Sequence, residues 1–122
     1  MKLDGVEIRY VTRADAAAIQ AVFATDPHYF ERVDRAPLRP DEGEKLFDEP
    51  PPGSDQRVAI ARRDGLDVAV LDFLVGYPEP MIWYLGLVFL VPAVRGSGLG
   101  TRLVGALGDA ARQAGAHARA AT

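Results

Sequence analysis

The stretch VPAVRGSGLGTRLV, residues 91–104, constrains the fold more than any other, because it joins two segments of different period through three alternate glycines. Before it, MIWYLGLVFLV at 81–91 is apolar at odd and even positions alike. It is rich in aromatic and β-branched residues and closed by Pro92, the pattern of a strand covered on both faces. After it, Leu99, Leu103, Val104, Leu107 and Ala111 make one apolar stripe at helical spacing, with Gly115 as a stop. Glycine costs conformational entropy, so Gly96, Gly98 and Gly100 imply either a turn that must bend freely or a ligand that approaches the main chain closely. Strand, glycine turn and helix in that order aim backbone N–H groups and a positive dipole end at an anion.

The rest of the chain supplies a sheet and helices around this junction. VEIRYV at 6–11 alternates apolar and polar residues as a half-buried strand does. Thr12 stands where an N-cap belongs, and RADAAAIQAVFAT follows with Ala16, Ile19, Val22 and Phe23 on one helical face. Pro27 sets a boundary at Asp26; a short helix over about 28–34 and another helical turn after Pro40 are expected. PPPGSDQ at 50–56 reads as a loop within one domain. Strands at 57–62 and 66–75 flank the turn RDG and form an antiparallel hairpin. At 122 residues the whole is a single domain, residues 1–122.

Composition removes several function classes. A net charge of −3 gives no electrostatic footprint for nucleic acid. The chain has no cysteine, hence no thiolate metal site or Cys nucleophile, and His28 and His117 lack zinc-type spacing, so no metal is expected. No run is long enough to cross a bilayer as a helix and the N-terminus lacks the apolar core of a signal peptide, so the protein reads as cytoplasmic, without a membrane partner. Among glycine loops, a Walker loop fails because no lysine follows Gly100, and the dinucleotide fingerprint fails on spacing and position. A strand-to-helix turn with no ligand also fits the local pattern.

VPAVRGSGLGTRLV resembles the acetyl-CoA-binding motif of the GNAT N-acetyltransferase superfamily, with Arg95, Gly98 and Gly100 at its three defining positions and Val91-Pro92 at the end of the preceding strand. The order of elements is similar too, up to about Gly115. The resemblance implies an α/β (α+β) fold, a mixed, mostly antiparallel sheet flanked by helices, here its N-terminal part through the third helix. It also implies acetyl transfer from acetyl-CoA to a primary amine of a small molecule or peptide. On that basis Leu90 and Val91 would pair with the pantetheine arm. Backbone N–H groups along Arg95, Gly96, Ser97, Gly98, Leu99, Gly100 and Thr101 would bind the pyrophosphate. A strand N–H would stabilise the developing oxyanion, and Gly86 would permit a bulge or a close approach.

Amine acetylation needs a neutral nucleophile and a proton for the departing thiolate. Asp72 is the first candidate, since it shares parity with Val68, Val70 and Leu74 on an apolar face; pairing with a loop amide or an arginine would explain it equally well. Tyr84 is the second, with packing as its alternative. His28, Tyr29 and Phe30 fall where the superfamily shapes its acceptor pocket, though a helix start packed on the sheet accounts for them as well. Family domains continue past the helix, whereas AHARAAT at most begins a fifth strand. Strand four is therefore expected to lack a neighbour on its far side, an unpaired apolar edge that favours a homodimer. A truncated, non-catalytic module that only binds coenzyme A is the alternative to an enzyme.

Overall fold

A computed structural model describes residues 1–120. β1 (Glu7–Val11) leads into a single 3₁₀ turn and α1 (Ala16–Phe23); α2 (His28–Val33) and the one-turn α3 (Glu42–Lys45) follow. Then come β2 (Asp55–Arg63), β3 (Leu66–Val75), β4 (Ile82–Leu90), α4 (Leu99–Gln113) and β5 (His117–Ala120). The five strands form one sheet in sequence order, antiparallel throughout except for the parallel pair β4–β5.

Local chemistry sets the boundaries. Thr12 caps as expected, but its capping box with Asp15 opens a 3₁₀ turn over Arg13–Asp15 before α1 begins. The hairpin β2–β3 turns on Asp64 and Gly65, both at positive φ (53° and 78°), the conformation that a tight two-residue turn demands and that Asp-Gly supplies. β2 starts at Asp55, inside the stretch expected to be loop, because Asp55 and Gln56 extend the ladder opposite Val75 and Leu74. The helix after the glycine loop is the fourth, since the segment between the first helix and β2 contains two short helices.

Directly opposed residues of neighbouring strands point to the same side. One face thus carries Ile60, Val70 and Phe89 in one row, and Val58, Asp72 and Leu87 in the next. α1 and α2 cover it through Phe23 and Phe30, whose rings lie edge-on at 4.9 Å, with Phe23 5.3 Å from Phe89. The opposite face is covered by α4, where Leu107 packs on Phe73 and Leu85. Each such buried side chain contributes roughly 1.5–3 kcal/mol over leaving it in water.

The expected unpaired edge of β4 is corrected in part. β5 runs beside Ile82–Leu85, so the apolar run has a far-side neighbour over that half. From Gly86 to Leu90 no strand lies on that side among the described residues. The sheet therefore splits at Gly86. There the β3–β4 register skips one residue, between the pairs Asp72–Leu87 and Phe73–Leu85, leaving Gly86 as the extra residue of a bulge.

Candidate active site

The glycine loop follows from the end of β4. The Val91 N–H donates to Val68 O at 2.9 Å, so by the alternation of an antiparallel ladder Val88 and Leu90 direct their backbone groups to the open edge. Pro92–Val94 then form a 3₁₀ turn. Gly96 and Gly98 sit at φ 78° and 84°, left-handed conformations that glycine adopts without strain. A Cβ at either would meet nothing within 4 Å, so the space in front of this backbone is open. Gly100 serves a different purpose, because a Cβ there would stand 3.2 Å from Leu90 Cδ1; glycine lets α4 approach the strand.

Bookkeeping of the loop's donors divides the residues proposed from sequence. Arg95 N–H bonds to Pro92 O and Ser97 N–H to Val94 O, which also accepts from the Ser97 hydroxyl. Gly96, Gly98, Leu99, Gly100 and Thr101 have N–H groups with no protein acceptor among the described residues. Four of these belong to the cap and first turn of a fifteen-residue helix, where four unmatched donors and the positive dipole end converge. A diphosphate fits such a cradle: open space, unmatched donors and no side chain in front of Gly96 or Gly98.

Arg95 folds its exposed side chain back over the end of β4 toward Asp26. Its Nε donates to Leu90 O at 3.0 Å, its Nη1 to Asp26 Oδ2 at 2.7 Å, and the guanidinium lies 5.6 Å from the Phe89 ring centre. Asp26 also accepts from Arg32 at 3.2 Å, and the hydrogen bond from Arg95 holds its carboxyl below the ordinary range. The clamp ties the glycine loop to the start of α2.

Asp72 and Tyr84 meet in one cavity of 210 Å³, which opens beside Gly86. Asp72 lies between Val58 and Leu87, and burial pushes its carboxyl up to about 6, opposed by a hydrogen bond from Gln56 Nε2 to Oδ1 at 3.1 Å. The partner of this acid is neither a loop amide nor an arginine but the side-chain amide of Gln56 on β2. Tyr84 stands opposite Leu74, its ring edge-on to Tyr77 at 5.6 Å.

Leu46, Asp48, Glu49, Pro50 and Pro51 also line this cavity; the first three belong to the stretch expected as a helical turn after Pro40, though the helix ends at Lys45, and the two prolines open the expected loop. They are held from three sides: Gln56 Nε2 also donates to Leu46 O, Arg13 Nη2 donates to Asp48 at 2.7 Å, and Gln20 bonds Gly43 N–H at 2.8 Å and Arg39 O at 2.9 Å. Acids set among prolines just after a helical turn were the available signal.

His28, Tyr29 and Phe30 do not line this cavity. Phe30 is buried core. Tyr29 packs edge-on to Phe89 at 5.1 Å, and burial pushes its hydroxyl pKa up. His28 is exposed and pairs with Glu31 at 2.9 Å, a hydrogen bond that raises its pKa. Among the described residues no group of three metal-ligating side chains comes together, and no helix is long and apolar enough to cross a membrane.

The sheet splits at a bulge, unmatched donors follow the end of β4, and a half-buried carboxyl lies beside the bulge. The chain belongs to the acetyltransferase (GNAT) family, whose model matches residues 19–122. No curated protein matches the sequence. Solved structures share the fold: an acetyltransferase from Thermus thermophilus is 24% identical, over 88% of this chain and 70% of that one, with a TM-score of 0.70. A ribosomal-protein-alanine N-acetyltransferase from Brucella melitensis biovar Abortus 2308 is 24% identical, over 94% and 77%, with a TM-score of 0.69. A GNAT acetyltransferase from Brucella melitensis, solved with acetyl-CoA, is 27% identical over 91% and 71%, with a TM-score of 0.62.

Proposed function

We propose that the protein is an N-acetyltransferase that moves acetyl from acetyl-CoA to the primary amine of a small molecule, and that it works as a homodimer. The carrying observation is the junction itself: unmatched N–H groups at Gly96 and Gly98–Thr101 beside a β4 edge left open over Gly86–Leu90. The diphosphate is held by the loop, and the pantetheine arm pairs with Val88 and Leu90 as a fifth strand does with Ile82–Leu85. In this arrangement Val91 and Arg95 act through position, their N–H groups being engaged within the protein.

An amine entering beside Gly86 meets Asp72, whose carboxylate accepts a proton and leaves the nitrogen neutral for attack. A carboxyl near 6 is ionised at neutral pH yet basic enough to take that proton. The C–N bond forms as the C–S bond breaks, an edge-facing N–H of β4 stabilises the oxyanion, and Tyr84 supplies a proton to the thiolate. The bulge positions this N–H, because the skipped register turns the strand at the mouth of the acceptor cavity.

Thiol release from acetyl-CoA in the presence of amines tests the reading. Wild type should turn over, with an acid limb in kcat/KM near pH 6; Asp72→Asn should lose on the order of 10²-fold or more and flatten that limb. Turnover in Asp72→Asn at the wild-type rate would remove the base from the mechanism. Coenzyme binding with no amine turnover at any pH would favour a binding module.

A further inference from the structure

The acceptor cavity carries more chemistry than a proton acceptor requires. Three carboxylates line it, from Asp48, Glu49 and Asp72, and no lysine, arginine or histidine does. Asp48 is matched by Arg13 at 2.7 Å. Glu49 has no ion-pair partner among the described residues; it sits on the proline-flanked wall at φ 52°. Asp72 on β3 and Glu49 on the wall that follows α3 are therefore two acids without a cation partner in one lining, which also offers the apolar side chains of Leu46, Pro50 and Leu74.

We propose, resting on the acetyltransferase reading above, that the acceptor is a slender aliphatic diamine: one nitrogen reacts at Asp72 while the other, still protonated, is held by Glu49. A second ammonium gains from a carboxylate beside low-dielectric walls, and a carboxylate-bearing acceptor is repelled by the same groups. The lining points the same way: Leu46, Pro50 and Leu74 offer apolar contact to a polymethylene stem. The reacting ammonium gives one proton to Asp72, which passes it to solvent. Its nitrogen pair forms the C–N bond as the C–S bond breaks; Tyr84 protonates the departing thiolate, and the second nitrogen proton restores the Tyr84 hydroxyl. The products are a mono-acetylated diamine, still singly positive, and the free coenzyme thiol.

The test compares thiol release by the full 122-residue chain with putrescine, n-butylamine, γ-aminobutyrate and a lysine-containing peptide as acceptors. Putrescine should exceed n-butylamine about five- to tenfold in kcat/KM, mainly through KM, and γ-aminobutyrate should be the poorest. Glu49→Gln, which keeps side-chain length and backbone constraint, should bring the putrescine to n-butylamine ratio close to unity. A ratio near unity in wild type, a ratio unchanged in Glu49→Gln, or turnover of the peptide alone would overturn the inference. Acetyl-CoA binding is measured on the same preparation. Binding without turnover of putrescine overturns the diamine assignment alone, whereas absence of binding overturns the acetyltransferase reading with it.

Discussion

Asp72 is where stability and chemistry oppose each other. Its carboxyl has an ordinary value of 3.8 and rises to about 6 on folding, because burial disfavours the charged form. Below the ordinary value it is protonated in both folded and unfolded chains and costs nothing. Between the two values the unfolded chain ionises first, so stability falls as pH rises, and above about 6 the whole cost of about 3 kcal/mol is present. Asp72→Asn should accordingly be about 1–3 kcal/mol more stable than wild type at pH 8, with the gain vanishing near pH 3.5, as chemical denaturation at the two pH values will show. Equal stability of the two proteins at pH 8 would mean that Asp72 is better solvated than its setting between Val58 and Leu87 implies. Asp72 was legible in the sequence as an acid of the wrong parity. Gln56, which joins it to the wall that follows α3, was not, because a glutamine at a strand start carries no signal until its partner is in space.

Among the α-helices, α3 is the shortest, at four residues, and it leads into the wall of the proposed acceptor cavity. It lies against α1 at Gly43, where a Cβ would stand 2.5 Å from Ala16 O and 3.0 Å from Gln20 N, both backbone atoms that cannot yield cheaply. Gly43→Ala should destabilise the protein by about 1–3 kcal/mol and raise KM for the amine, while acetyl-CoA affinity stays within about twofold. A rise in coenzyme Kd of the same size as the rise in amine KM would show that α3 does not act on the acceptor side alone. The longer elements were readable: β3 runs over the expected 66–75, α4 starts at Leu99, and the hairpin turns where Asp-Gly requires it. α3 was readable only as a turn after Pro40, since four helical residues have no periodicity and their packing rests on a glycine contact made across more than twenty residues. The wall behind α3 escaped for a related reason. A proline-rich stretch announces a loop, and only the sheet beneath it makes that loop part of a cavity.

For the whole molecule, the split sheet has two consequences. β5 pairs along one side with Ile82–Leu85 and is exposed at every residue, so the free edge that the sequence suggested for β4 passes in part to β5. The homodimer proposed above would cover it, and light scattering at micromolar concentration without ligand should give twice the 13.2 kDa chain mass; a monomer would contradict it. The second consequence is the proposed coenzyme cradle, which calorimetric titration of acetyl-CoA tests most directly. Substituting Gly98 would confound the fold with the site, because φ 84° is strained for any side chain. Thr101 is better suited: it is exposed in the first turn of α4, where a carboxylate suits the helix dipole and competes for the same N–H donors. Wild type is expected to bind one acetyl-CoA per chain, and Thr101→Glu to bind at least tenfold more weakly with an unchanged or higher Tm. Binding undiminished in Thr101→Glu, or no binding by folded wild type, would mean that the donors at Gly96 and Gly98–Thr101 do not hold the coenzyme.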